Sequence, residues 1–214
     1  MLAAFAPAGI ISATPRDLAK LEHVNEMLES IHARDAIPHS VIEQAEGVVL
    51  ITNVVKAGFV ASSRQGVGTL SVRLVDGSWS NPLFVQLENI PVDVVAGPQE
   101  AAVVLIFRTE RSALSIIDGP VVVGFDVSSA PGLVADAGDV DNKLSFSRAE
   151  VGVYLRVREK WSGLDLEGAV LRLLSDRNRS IYDDDSARRI FADRAGEPPP
   201  EAQALRATFG RHWP

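Results

Sequence analysis

The sequence predicts an α+β fold: a mostly antiparallel β-sheet or partly closed barrel, with an N-terminal helical segment and a C-terminal helical tail. Three observations carry this. Apolar residues recur at helical spacing before residue 34, short runs rich in β-branched residues separated by turn signals fill 48–175, and an arginine-bearing segment after three consecutive prolines closes the chain. No long helices alternate with the strand signals, so a doubly wound parallel sheet is the less economical reading.

The first helix is expected over 15–34, with Thr14 as N-cap, Pro15 at the first helical position, and Leu18, Leu21, Met27, Leu28 and Ile31 on its apolar face. Pro38 opens a short second helix. Strands are then expected from Val48 onward and over 67–74, 83–87, 103–107, 121–127, 144–147, 152–158 and 164–174, with one crossing helix over 109–116. Asp76-Gly77 has the composition of a type I′ hairpin turn. In the tail, Asp183-Asp184-Asp185-Ser186 precedes a short helical segment, Pro198-Pro199-Pro200 breaks it, and a last helix runs to Trp213. One structural domain is expected, divided as an N-terminal arm and helix over 1–36, a β-rich body over 37–182 and a helical tail over 183–214.

Composition narrows the function classes. The 214 residues contain no cysteine, which removes disulfides, thiolate metal sites and cysteine nucleophiles. A formal charge of −7 argues against a general nucleic-acid binder, which needs a positive field to displace counterions from phosphates. The apolar opening from Met1 to Ile11 is too short to span a bilayer and reads as a buried or partner-docking arm, with a poor signal sequence as the alternative.

Several motifs, in order, resemble the SYLF lipid-binding family over 37–182: Ile37-Pro38, Ala45-Glu46-Gly47-Val48, Val55-Lys56-Ala57-Gly58-Phe59 and Arg64-Gln65-Gly66-Val67-Gly68, then Asp76-Gly77-Ser78-Trp79-Ser80-Asn81-Pro82, and finally Leu164-Asp165-Leu166-Glu167-Gly168 with Asn178 and Tyr182. The resemblance implies a bacterial-type member that binds lipid headgroups, phosphoinositides in the eukaryotic members, some of which also bind actin. It implies no catalytic residues. The chain departs from the family where Glu88-Asn89-Ile90-Pro91-Val92-Asp93 replaces a glycine-rich stretch. A lysine-rich first helix is also missing, since Glu22, Glu26 and Glu29 stand there.

The candidate ligand-binding residues are Lys56, Arg64, Gly66, Gly68, Arg156, Arg158 and Lys160. Gly66-Val67-Gly68 beside Arg64 could cradle a phosphate with backbone N–H groups, or simply form a tight turn between strands. Tyr154, Arg156, Arg158 and Lys160 occupy alternate positions and would share one strand face, opposite Val153, Leu155, Val157 and Trp161. Such a basic face is either an anion site or a solvated face paired with acidic neighbours. Trp79 is expected to lock the hairpin against the core, the alternative being a membrane contact.

No metal or other cofactor is expected. Glu29 and His32 have the i, i+3 spacing of a di-iron carboxylate site but no second such pair, and all four histidines, His23, His32, His39 and His212, read as surface histidines. Asp136, Asp139, Asp141 and Asn142 read as a solvated turn, and Asp183 to Asp185 as negative charge at a helix N-terminus. The expected partner is an anionic lipid or membrane surface, with a protein-interaction scaffold docking through its apolar arm or tail as the alternative and an uncharacterised hydrolase third. The expected compartment is the cytoplasm, at a membrane periphery, with the periplasm as the alternative.

Overall fold

The computed structural model describes residues 13–56, 63–91, 101–123, 151–157, 160–163, 166 and 168–214. Helix α1 (Pro15–Ala33) starts where the sequence places it: the Thr14 hydroxyl accepts the Asp17 N–H, and Pro15 supplies a first residue that needs no donor. Its inward face is Leu21, Val24, Met27, Leu28 and Ile31, together with the carboxylate of Asp17. After the single turn of α2 (His39–Ile42), strands β1 (Gly47–Lys56), β2 (Ser63–Val72) and β3 (Leu83–Pro91) form an antiparallel meander.

Strand β4 (Ala101–Phe107) returns to the free side of β1, and β6 (Val151–Val157) and β7 (Lys160–Gly163) extend the sheet there. Strand β8 (Val170–Leu173) pairs with the other side of β3, and the two-residue β5 (Val121–Val122) flanks β8. The sheet order is β5-β8-β3-β2-β1-β4-β6-β7, antiparallel at every pairing. Helix α3 (Glu110–Leu114), capped by Thr109, passes into a 3-10 turn (Ser115–Ile117) before β5. The chain closes with α4 (Ser175–Tyr182), α5 (Ala187–Phe191) and α6 (Pro200–His212).

Register decides which residues share a face, because side chains alternate along a strand. Val48, Leu50 and Thr52 of β1 stand beside Ser71, Thr69 and Val67 of β2, and Thr69 pairs on with Phe84 of β3. Helices α1 and α4 lie over this face: Lys20 donates to Thr52, and the Arg177 guanidinium sits 5.9 Å from the Phe84 ring. Val49, Ile51, Leu70, Val85, Leu87, Val103 and Leu105 occupy the other face and are fully buried. There α3 reaches Gly47, where any added Cβ would lie 2.5 Å from that of Ala113. Being covered on both sides, β4 is buried at every position, which is why its sequence is a continuous apolar run rather than an alternation.

The expected α+β architecture is the observed one, with local corrections. The hairpin at Asp76-Gly77 is not a two-residue type I′ turn, since only Gly77 has positive φ, at 82°. Gly77 N–H bonds Leu74 O and Leu74 N–H bonds Ser78 O, so a three-residue loop carries the reversal and Asp76 accepts from the Ser78 N–H and hydroxyl. The expected strand over 164–174 is interrupted by a turn at Gly168, φ 83°, which leaves β8 short. Helix α4, absent from the sequence reading, occupies Ser175–Tyr182. The expected strand over 144–147 and the acidic turn at Asp136, Asp139, Asp141 and Asn142 lie outside the described residues.

Candidate functional site

The motif residues gather first at the seam between the β2–β3 hairpin and the C-terminal helices. Trp79 is 2% exposed, stacks on Phe209 at 4.7 Å, meets Trp213 edge-on at 6.3 Å and donates its Nε1–H to the Trp213 carbonyl at 2.7 Å. The Arg73 guanidinium covers the ring at 4.7 Å. Asn81 donates to Ile190 O at 3.3 Å and to Asp193 Oδ1 at 2.9 Å. Asn178 behaves as a strand residue placed on a helix: its amide accepts the Phe84 N–H at 2.7 Å and donates to the Phe84 carbonyl at 3.3 Å. The Tyr182 hydroxyl donates to Pro82 O at 2.6 Å, and burial, aided by Asp193, pushes its phenol far above the ordinary range. Trp79 is thus a core residue, and the motif polar groups are spent on joining helices to sheet.

The predicted ligand residues are placed differently. Gly66 and Gly68 lie inside β2, between β1 and β3, rather than in a tight turn or an exposed N–H cradle. Their missing Cβ atoms have a packing reason: one at Gly68 would sit 1.7 Å from the Leu50 carbonyl oxygen, and one at Gly66 would sit 2.4 Å from Ile51 Cγ2. Arg64 is 5% exposed and opposes Lys56 in register. The Lys56 side chain, the side chains of Arg156 and Lys160, and the whole of Arg158 lie outside the described residues. The backbone register nevertheless corrects the shared-face reading. The chain reverses between Val157 and Lys160, which oppose each other, while Arg156 opposes Trp161. Positions 156 and 160 therefore belong to different strands and opposite faces of the ribbon.

Two ionic groups at α1 were not assembled by sequence reasoning. At its start, Asp17 receives Arg177 at 3.4 Å, and the Lys20 ammonium donates to Thr52 Oγ1 at 2.8 Å. Burial first, then the charges of Arg177 and Arg16, lower the Lys20 pKa, so these three cations lie near enough to act on one another while the Asp17 carboxylate pairs with Arg177. The only sequence signal was the i, i+4 spacing of Arg16 and Lys20; Arg177 is more than 150 residues away in the chain.

At the other end of α1, Glu29 accepts from Arg211 at 2.8 Å, His212 at 3.0 Å and Thr208 at 3.3 Å, and His32 stacks on His212 with ring centroids 3.8 Å apart. Burial raises the Glu29 pKa, but the hydrogen bonds from Arg211 and His212 outweigh it and the net shift is downward. His212, read from sequence as a surface histidine, is a tertiary contact. Rings stacked at 23° hold their nitrogen lone pairs side by side rather than convergent, and among the described residues no group of three or more His, Asp or Glu is placed to hold a metal. His23 bonds Ala19 O and His39 pairs with Glu43. Asp184 and Asp185 pair with Arg189 and Arg179, and Asp184 also accepts the Ser186 N–H, in keeping with acidic charge at the start of α5. No described helix is long and apolar enough to cross a membrane.

Residues 89–212 match the family described as "Ysc84: Las17-binding protein actin regulator". An SH3 domain-containing protein of Schizosaccharomyces pombe is 31% identical over 173 residues, covering 79% of this chain and 40% of that protein. LAS seventeen-binding protein 3 of Saccharomyces cerevisiae is 27% identical over 175 residues, 81% of this chain and 38% of that one. SH3 domain-containing YSC84-like protein 1 of Homo sapiens is 30% identical over 169 residues, 78% and 48% respectively. The chain spans less than half the length of these relatives. With more than half of its residues matched by the family, the chain belongs to the Ysc84, or SYLF, family.

Proposed function

We propose that this Ysc84-family domain is a non-catalytic docking module for a protein of the actin-regulatory machinery. The observation that supports it is the use to which the motif side chains are put. Trp79, Asn81, Asn178 and Tyr182 spend their polar atoms on a rigid joint between sheet and helices, so the sequence pattern specifies a platform rather than a reaction centre. The four histidines engage a backbone carbonyl, carboxylates or one another. Relatives are named for binding Las17, and the family for regulating actin. On this reading the chain works in the cytoplasm.

The test uses this chain alone, because it spans only part of its relatives. Co-sedimentation with actin filaments and capture by an immobilised Las17-type protein are measured side by side, and saturable binding to either supports docking. Binding to neither, at concentrations that saturate a full-length relative, sinks the proposal.

A second reading, contact with an anionic membrane surface, is favoured by the cationic group of Arg16, Lys20 and Arg177 in a chain of net charge −7. Basic residues contribute about 1 kcal/mol each near an anionic surface. Flotation with anionic vesicles should therefore fall about tenfold or more in the Arg16→Gln/Lys20→Gln variant and with added salt. Equal flotation of variant and wild type removes this reading; loss on changing Arg156, Arg158 and Lys160 instead returns it to the β6–β7 ribbon.

A further inference from the structure

We propose that Glu29, His32, Arg211 and His212 form a proton-sensitive clasp that holds α6 against α1 near neutral pH and loosens it in mild acid. The geometry is a stack of two imidazoles from different helices, 3.8 Å between centroids, with a single carboxylate beside it. That carboxylate is already shared: Arg211 and Thr208 occupy Oε1 and His212 faces Oε2.

While the imidazoles are neutral, Glu29 and Arg211 cancel and His212 bonds the carboxylate. When both rings charge, the four side chains carry a net +2, with the two imidazolium charges face to face. The C-terminal ends of α1 and α6 add partial negative charge, because His32 and His212 each lie in the last turn of their helix, and Asp35 follows His32 by three residues. A helix end carries about half a charge and acts only within its last turn, so two of them cannot neutralise this excess. Imidazole is the side-chain type that most readily takes up a proton in mild acid.

The consequence reaches the aromatic seam. His212 immediately precedes Trp213, whose carbonyl holds Trp79 and whose ring packs on Phe209. Loosening the clasp frees the end of α6 and admits solvent to Trp79 and Trp213, both nearly inaccessible in the closed form.

The test compares the wild type with His32→Asn. His32 is exposed, so the variant folds, and asparagine keeps polarity while removing one member of the charged stack. Melting temperature and acrylamide quenching of tryptophan emission are read at pH 7.5 and 5.5, in a Trp161→Phe background so that emission comes from Trp79 and Trp213. The wild type should lose about 2–4 °C more than His32→Asn on acidification, the shift that a small domain-scale destabilisation produces in a chain of this size. Its quenching should rise where that of the variant does not, and 0.5 M salt should recover part of the loss. Identical pH dependence in the two proteins overturns the clasp, as does a wild type whose acid loss is indifferent to salt.

Discussion

The two places where the C-terminal helices meet the rest of the molecule are built on opposite principles. The aromatic seam joins Trp79 to Phe209 and Trp213 with rings and one buried hydrogen bond, and holds Tyr182 through a backbone carbonyl and Asn81 through a backbone carbonyl and the Asp193 carboxylate. The α1–α6 flank joins Glu29 to Arg211 and His212 with polar groups that are 42%, 58% and 18% exposed. Burial of large apolar rings is by itself insensitive to salt and to pH near neutrality, so the seam responds to either only through the flank beside it, whereas an exposed ion pair is weak and easily screened. One joint fixes the fold and the other can be adjusted without unfolding it.

The largest expected effect is at the dry joint. Trp79→Ala removes a fully enclosed indole and orphans the Trp213 carbonyl, and should cost about 3–5 kcal/mol in denaturant unfolding. A variant with wild-type stability that had lost vesicle binding would make Trp79 a membrane contact and break the comparison at its stronger side.

Next comes the backbone approach that lets the sheet coil. Gly68→Ala places a methyl 1.7 Å from the Leu50 carbonyl oxygen, so β1 and β2 must separate, at a cost of about 1–3 kcal/mol. Gly66→Ala meets a side chain, Ile51, which can turn away, and should cost less. If vesicle or phosphate binding falls in either variant while stability is kept, the glycines serve a ligand rather than the packing.

A third measurement separates shape from hydrogen bonding within the dry joint. Asn178→Ala leaves the buried Phe84 N–H without its 2.7 Å acceptor and should cost about 1–3 kcal/mol. Asn178→Asp restores an acceptor but not the donor to Phe84 O, and should recover only part of that loss. Full stability in Asn178→Ala would mean that α4 is held by its apolar contacts alone.

These contrasts also explain what the sequence could disclose. Trp79 was legible as a core residue because a turn dipeptide and a proline bracket it, and α1 because cap, proline and apolar spacing all agree. Pairing register was not legible: alternation along 154–160 looks like one strand until the chain reverses between Val157 and Lys160, and nothing in composition marks that reversal. Helix α4 was missed because its eight residues are nearly all polar, its three buried ones being Asn178, Ile181 and Tyr182, and tertiary hydrogen bonds hold what periodicity does not announce. The ionic groups at α1 were out of reach for a simpler reason. Asp17 with Arg177 and Glu29 with His212 are joined across more than 150 residues of chain, and only the fold brings them together.

The smallest expected effect lies at the adjustable joint, in Glu29→Gln. Glutamine keeps the size and an acceptor oxygen but loses the charge that draws Arg211 and His212. Because these groups are substantially exposed, solvent screens the pairing and the loss at pH 7 should be only about 0.2–1 kcal/mol. The pH dependence has a definite sign. The Glu29 carboxyl is held below its ordinary value in the folded state, so its contribution is present above the unfolded carboxylate range and disappears as pH falls through the lowered folded value. The difference between wild type and Glu29→Gln should therefore hold or widen in mild acid, where added positive charge makes the carboxylate count for more, and shrink toward zero only below about pH 4 as that carboxyl is itself neutralised. Thermal unfolding of the two proteins between pH 3 and 7 reads this directly. A gap that stays constant down to pH 3 would show that glutamine perturbs packing rather than charge, and the flank would then be a second dry joint.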